Sequence, residues 1–522
     1  MTAGTVVSRI TGLLRLAAIA GALGVVESGR LTDTYNLANT APNIIYELIL
    51  GGVLTSVFIP VFIELQEKEG REKAWQVANG IMNTALVGLT ALAIVLMLAA
   101  PLIANIYALR LEGAEEAQQQ QVLTFLLRLF IPQIVFYALI AITTGLLNAN
   151  RRFGPPMYTP ILNNLAVIAV FIAFHQAYER VDGLGAVTST QLWIIGLGTT
   201  AGVVINAVAQ LPFLRGLGRF TPTFSLNHPS VRKLARLSVF VIGYVVANQI
   251  GYLVVQWLAN AQRGGYSAYV WAFTFFMLPH GLFAVSIITA LLPSMSQHAV
   301  NENWAELRER VSTGMRATLL LILPAAVGYF VLGEAIVRVL LEHGVMTARS
   351  TELVADVLRF FVLGLVPFSI FQLLLRAFYA IQDTKTPFVI NCIAVVLNLV
   401  INVPMFSLFG VQGLAMGHAI AYVVATTLLG RALSRAIGGL ELRRFVRSGA
   451  RIAVAGTVMG GVVWVVSRAL ESTVDVATIV GQVFAVAVPV AVGTVVYLGV
   501  GRLVGVEELG YVRSLVTRRL GR

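Results

Sequence analysis

Charged side chains stand inside stretches otherwise apolar enough to cross a bilayer, and the informative ones are Arg9, Arg15, Glu47, Arg128, Arg359 and Arg376. A charge at the centre of a membrane costs about 2.5–3.5 kcal/mol even on the lenient insertion scale, so such residues usually face a bundle interior or a water-filled cavity. An arginine held there has one evident chemistry, the bidentate grip of a phosphate or pyrophosphate. Arg9 and Arg15 lie six residues apart, on different quarters of one helix, so both need not face a cavity, and Arg9 could equally snorkel to the inner surface. Arg128 and Arg359 lie near the outer ends of their helices, where snorkelling is the better reading. Arg376 is different. Nine residues of helix at about 1.5 Å each place it roughly 13 Å inward of Lys385, too deep to snorkel, and Glu47 is the obvious counter-charge that a pyrophosphate would displace.

The stretch that must position these groups is 36–64, NLANTAPNIIYELILGGVLTSVFIPVFIE. It is long enough to span, yet it carries Asn39, Pro42, Asn43 and Glu47, then Gly51-Gly52, then Pro60. Proline and glycine breaks are tolerated at membrane depth where neighbouring helices or a water-filled cavity satisfy the freed backbone groups. The pattern predicts a bent helix lining a polar cavity. No Walker loop, HExxH or paired histidines at ligand spacing occur, and His175, His228, His280, His298, His343 and His418 are scattered. The sequence therefore gives no ground to expect an enzyme, a cofactor or a metal site.

Composition sets the class. Of 522 residues, 57% are hydrophobic and only 12% charged, against about a quarter charged in soluble domains. Apolar runs recur along the whole length, so the expectation is an all-α polytopic membrane protein. No cleavable signal peptide stands apart at the start. The single cysteine, Cys392, excludes a disulfide framework. A net charge of +12 fits basic cytoplasmic loops and anionic lipid rather than nucleic acid. Fourteen spans are predicted: 5–25, 36–63, 75–108, 122–147, 158–177, 187–214, 236–260, 267–294, 312–341, 354–381, 387–408, 411–434, 448–468 and 477–501. With the N-terminus inside, the cytoplasmic side carries twenty-five Lys and Arg and the opposite side six. That asymmetry predicts that both termini are cytoplasmic.

The chain also repeats. Pro60, Met82 and Ile103 recur as Pro293, Met315 and Ile336 at an offset of 233, and Arg128, Ala149 and Pro156 recur as Arg359, Ala380 and Pro387 at 231. The repeat holds six spans, an even number, so its two copies have the same orientation, a known transporter plan. The predicted domains are a six-helix lobe at 1–214, a cytoplasmic linker at 215–235, a second six-helix lobe at 236–434, spans 13 and 14 within 435–505, and a basic cytoplasmic tail at 506–522. The linker runs into a basic amphipathic piece, SVRKLARL, with Ser230 as its N-cap. Spans 13 and 14 are rich in Val, Ala and Gly, which suits close packing or an apolar groove.

SRITGLLR at 8–15, TD at 32–33, APNIIYELILGGVLTSVFIP at 41–60, LLPSMS at 291–296 and FYAIQDTKTP at 378–387 resemble the MurJ/MviN family of lipid II flippases. That family belongs to the multidrug/oligosaccharidyl-lipid/polysaccharide exporter superfamily. The form PNIIYELILGGVLTS is similar to its actinobacterial variant. The resemblance implies a V-shaped pair of lobes around a central cavity, in a bacterial cell (plasma) membrane. Lipid II, the undecaprenyl-pyrophosphate-linked peptidoglycan precursor, would pass from inner to outer leaflet by alternating access, serving peptidoglycan synthesis, cell wall biogenesis and cell shape. Spans 13 and 14 would form the groove for its lipid tail. Membrane lipids and cell-wall synthesis proteins are the other partners it implies.

In the resemblance, Arg9 and Arg15 match a span-one arginine pair and Asp33 an acidic residue that follows it. The family's span-two arginines fall on Tyr46 and Glu47, and its span-eight arginine falls near Thr274. The candidate substrate-binding set is therefore Arg9, Arg15, Asp33, Asn43, Glu47, Thr274 and Arg376, with Arg376 replacing the missing cations. The alternatives are a flippase for another polyprenyl-linked glycan or a drug exporter of the same superfamily. Outside transport, they are a membrane scaffold, which leaves the buried arginines unexplained, or a sugar transferase, which lacks an acidic cluster in a large loop.

Overall fold

A computed structural model describes residues 2–47, 66, 68–109, 111–178, 181–217 and 229–509. Every long element among the described residues is helical. In the first half these are α1 (Thr2–Leu23), α2 (Leu31–Glu47), α3 (Arg71–Leu98), α4 (Ala100–Ala108), α5 (Ala114–Phe130), α6 (Gln133–Ala149), α7 (Gly154–Ala177), α8 (Ser189–Gln210) and α9 (Pro229–Ala259). In the second they are α10 (Gly265–Pro279), α11 (Val285–Val300), α12 (Trp304–Leu341), α13 (Ala348–Val362), α14 (Leu365–Ala380), α15 (Lys385–Phe409), α16 (Val411–Ala436), α17 (Leu442–Glu471) and α18 (Ile479–Leu503). Ten spans among the described residues are long and apolar enough to cross a membrane, or eleven with the bent pair α13–α14. Of the fourteen predicted spans, most of the second lies outside the described residues, including Gly51-Gly52 and Pro60, as does the tail from 510 onward. The SVRKLARL piece is not separate from its span, because α9 runs unbroken from Pro229, ahead of Ser230.

Several predicted spans are broken, each for a local reason. Pro132 follows α5 where the predicted fourth span bends into α6. α13 and α14 meet at 50° across Leu363-Gly364, with Pro367 in the next turn. Between Pro279 and Val285 one π-helical turn, His280–Ala284, interrupts the eighth, next to a proline that cannot donate to the ladder. Among the described residues, three non-glycine residues adopt left-handed φ, Arg151 at 59°, Glu302 at 53° and Gln382 at 60°. Each closes a helix with the same bond pattern, as Arg152 N donates to Leu147 O at 2.8 Å, Asn303 N to His298 O at 2.9 Å and Asp383 N to Phe378 O at 3.0 Å. That is the C-terminal turn of a Schellman motif, and Arg151 and Gln382 are separated by the repeat offset.

The helices gather into two units. One comprises Met1–Ser267 with Leu340–Ser350, the other Ala268–Val339 with Thr351–Arg522. In the first, α1 packs on α7, α7 on α8, and α2 on α5, and Trp75, Met82, Ile142 and Leu146 form one of its apolar cores. In the second, α15 packs on α16, α14 on α16, and α17 on α18. α17 also approaches α12 closely. A Cβ on Gly456 would lie 2.5 Å from Leu323 Cδ2, and one on Gly460 2.7 Å from Val327 Cγ1, the small-xxx-small contact of membrane helices.

The end of α18 is fixed to the same bundle by charge. Arg316 Nη1 donates to Glu508 Oε1 at 2.8 Å, the two side chains being only 6% and 9% exposed, and Ser448 Oγ donates to Glu508 Oε2 at 2.9 Å. Removing one partner of a buried pair leaves an uncompensated charge, at about 3–5 kcal/mol. Glu508→Ala is therefore expected to lower the unfolding stability of the purified protein by about that amount, and Arg316→Met/Glu508→Leu to recover most of it. A melting curve of Glu508→Ala that overlays the parent would contradict this pairing.

Candidate functional site

A buried polar seam runs through the first unit, where α2, α4, α5, α9 and the start of α10 meet. Its anchor is Asp33, fully buried in the first turn of α2. Asp33 Oδ2 accepts from Gly264 N at 2.7 Å, and Oδ1 accepts from Ser267 N at 2.8 Å and Ser267 Oγ at 2.7 Å. Those amides open α10, so the carboxylate caps that helix from a distant part of the chain, where unsatisfied N–H groups and the helix dipole favour a negative charge. One turn along α2, Asn36 Nδ2 donates to Ser267 Oγ at 2.9 Å. A further turn on, Thr40 Oγ1 and Tyr266 Oη are bonded at 2.8 Å. Gln256 Nε2 donates to Tyr266 Oη at 2.9 Å, and Tyr107 Oη to Gln256 Oε1 at 2.6 Å.

Arg30 closes one end of the seam. Its Nε donates to Glu115 Oε2 at 2.8 Å and its Nη1 to Asn260 O at 2.7 Å, while Arg263 pairs with the other Glu115 oxygen. Asn260 and Gln119 exchange amide hydrogen bonds at 2.9 and 3.0 Å. Next to them, the α1–α2 turn grips residues 340–350. Glu27 Oε1 accepts from Thr347 N at 2.9 Å and from Thr347 Oγ1, and Oε2 accepts from Ser350 Oγ at 2.7 Å and Val25 N at 2.8 Å. Val345 N donates to Gly21 O at 2.9 Å. Gly344 permits this approach, since its φ is +62° and a Cβ there would collide with Gly21 O.

The two acids respond to pH in opposite senses. Burial pushes Asp33 up to about 6 from an ordinary 3.8, against the Ser267 and Gly264 donors and the Arg30 charge. At neutral pH it is ionised, as its three donors require. Burial also acts against ionised Glu27, but the hydrogen bonds from Thr347 and Ser350 outweigh it and hold the carboxyl below its ordinary value of 4.5.

The residues singled out by sequence occupy different surroundings. Arg9 is exposed and Arg15 half-buried on α1. Among the described residues no carboxylate pairs with either. On α2, the hydroxyl of buried Tyr35 bonds Thr199 Oγ1 at 2.9 Å. Asn43 Nδ2 turns back onto Asn39 O at 2.7 Å. Glu47, exposed at the last described turn of α2, accepts from Gln249 Nε2 at 2.7 Å. In the second unit Thr274 Oγ1 bonds Val270 O at 2.9 Å, and exposed Arg376 places its guanidinium carbon 5.6 Å from the Tyr379 ring centroid. Asp33 is the one of the seven that belongs to the seam. Glu27, Arg30, Glu115, Gln119 and Asn260 were not expected there, and their long-range partners lie 85 to 323 residues away, beyond any local spacing signal. Among the described residues no three His, Cys, Asp or Glu side chains are grouped as metal ligands.

The fold is that of a polytopic helical transporter. It matches a solved structure of the lipid II flippase MurJ in an inward closed conformation with a TM-score of 0.77, at 22% identity over 99% of both chains. It also matches an inward-facing multidrug resistance MATE family transporter with a TM-score of 0.67, at 13% identity over 83% of this chain and 95% of the other. Residues 19–485 match the family model described as lipid II flippase MurJ, and the chain belongs to that family. Among curated relatives, the probable lipid II flippase MurJ of Rhizobium tropici is 27% identical over 99% of this chain and 95% of its own length. The lipid II flippase MurJ of Burkholderia cenocepacia is 26% identical over 81% of each.

A pH prediction follows from the signs. Asp33's folded pKa is raised, so its contribution to stability is full below 3.8 and is lost as pH climbs to about 6, a total of about 3 kcal/mol. Glu27's is lowered, so its contribution is present above 4.5 and is lost as pH falls through the folded value. Thermal unfolding of the purified protein across pH 3.5–7 should therefore lose the upper slope in Asp33→Asn and the lower slope in Glu27→Gln. If both slopes persist in both variants, the seam does not titrate through these acids.

Proposed function

We propose that this chain carries lipid II across the bacterial plasma membrane, from inner to outer leaflet, by alternating access. Membership of the lipid II flippase MurJ family supports this reading, as do the names of relatives aligned over nearly the whole chain. The observation that carries it at the level of residues is Arg15. It is a half-buried guanidinium on α1 with no carboxylate partner among the described residues. A charge left in that condition suits a ligand that brings its own negative charge, and a pyrophosphate offers the bidentate geometry arginine favours. Arg9 and Arg376 are the further cations available to such a head group. Asn43, Glu47 and Thr274 are polar groups on helices the substrate would pass.

The orientation belongs to the same proposal. Both termini and the 215–235 linker are cytoplasmic, on the strength of the basic asymmetry. The chain comprises like-oriented lobes at 1–214 and 236–434, with spans 13 and 14 taking the lipid tail. The polar seam then lies toward the outside, and its closure seals that side while substrate enters from within. Asp33 acts by holding the seam, not by touching the head group.

Vesicles containing the purified protein and labelled lipid II give the direct test. The parent should bring lipid II to the opposite leaflet. Arg15→Ala should reduce the rate at least about a hundred-fold, because the cost falls on an unpaired pyrophosphate, with insertion unchanged. Equal rates for parent and Arg15→Ala would remove the arginine from the mechanism. Movement of another polyprenyl-pyrophosphate glycolipid with lipid II left in place would replace the substrate.

A further inference from the structure

Within the second unit a cavity of about 450 Å³ opens among α12, α13 and α17. That is within the range of small-ligand sites, roughly 300–1,000 Å³. Three arginines and two glutamates converge on it: Arg338, Arg359, Arg468, Glu334 and Glu471. Arg338 pairs with Glu334 at 2.7 Å, Arg359 with Glu334 at 3.5 Å and with Asp356 at 2.6 Å, and Arg468 with Glu471 at 3.2 Å. Trp464, 56% exposed, and Phe330, 51% exposed, stand at the same cavity, and Val465 beside them is 58% exposed.

Two features separate this from an ordinary ion-pair cluster. A cluster that only satisfied itself would close around its own charges, whereas this one surrounds open volume. It also stands beside exposed apolar and aromatic surface on two spanning helices, so its mouth adjoins lipid. Arg338, Arg468 and Glu471 lie in the last turns of α12 and α17, where the head groups of a surrounding bilayer are expected. The lining carries both signs in near balance. A ligand that is only an anion would meet two glutamates, and one that is only a cation would meet three arginines. The complementary ligand has a phosphate and an ammonium group a few ångströms apart.

We infer that this cavity binds the head group of an aminophospholipid. The phosphate lies against Arg359 and Arg468, where guanidinium forks suit its oxygens. The ammonium lies against Glu471 and Glu334 with the Trp464 face beside it, a cation–π arrangement. The acyl chains follow the apolar surface of Phe330, Trp464 and Val465. Assignment of the site to the outer leaflet rests on the orientation proposed above. The binding itself does not, and it is separate from substrate transport.

The test is lipid retention by the full-length protein in detergent, read by native mass spectrometry against phosphatidylethanolamine, phosphatidylcholine and phosphatidylglycerol of matched acyl chains. Phosphatidylethanolamine should be retained about ten-fold more tightly than either of the others. Glu471→Gln should erase its advantage over phosphatidylglycerol while leaving phosphatidylglycerol binding intact, and Arg359→Gln should weaken both phospholipids. Trp464→Ala, at an exposed position, should cost phosphatidylethanolamine affinity without affecting folding. Free O-phosphoethanolamine should bind far more weakly than the lipid, and binding of equal strength would transfer the site to a soluble ligand. Indifference to head group, or a uniform loss of all three lipids in Glu471→Gln, would overturn the proposal. None of these outcomes depends on whether lipid II is moved.

Discussion

Ionised groups in an apolar setting must find partners inside the chain, and this structure is arranged around that requirement at Asp33. A buried carboxylate with no donors would be neutral or expelled. Here Gly264 and Ser267 supply three donors, and the carboxylate in turn satisfies amides at the start of α10 that no helical carbonyl can reach. The debt is mutual, so the contact specifies one register of α2 against α10. Asn36 and Thr40, each further along α2, continue it to Ser267 and Tyr266. Arg30 and Glu27 do the same for the turns at one end of these helices. Each polar group is useful because its partner cannot turn to water.

The same requirement explains why residues 236–267 and 340–350 gather with the first unit although the predicted repeat assigns them to the second lobe. Their polar side chains and backbone groups are the partners of Asp33, Arg30 and Glu27. A seam made of directional bonds between α2 and the α9–α10 turn is either matched or broken, which suits a seal with two states better than an apolar interface that slides. The rest of the bundle supplies stiffness. Close glycine contacts hold α17 on α12, and the Arg316–Glu508 pair fixes the end of α18.

Much of the fold was legible because membrane spans advertise themselves by length and apolarity. α7, α8, α15, α16, α17 and α18 lie where the hydropathy of 158–177, 187–214 and 387–501 puts them. The bends were visible only as prolines and glycines, such as Pro132, Pro279 and Gly364, and their angles were not. At the site, a carboxylate at 33 stood out as a charge next to a span, but its role as a remote cap depends on amides 231 to 234 residues away. Glu27 and Arg30 looked like ordinary loop charges for the same reason. Periodicity encodes which residues share a helix face, whereas the pairing of one loop with another is written in three dimensions.

The proposed transport requires the seam between α2 and the start of α10 to open. Asn36 and Ser267, whose side chains are bonded at 2.9 Å, offer the most direct lock. With Cys392 replaced by Ser, an Asn36→Cys/Ser267→Cys protein joined by a disulfide or a short thiol cross-linker should insert normally yet fail to move lipid II in vesicles. Reduction of the disulfide should restore movement. Undiminished movement while the cross-link is intact would contradict the account.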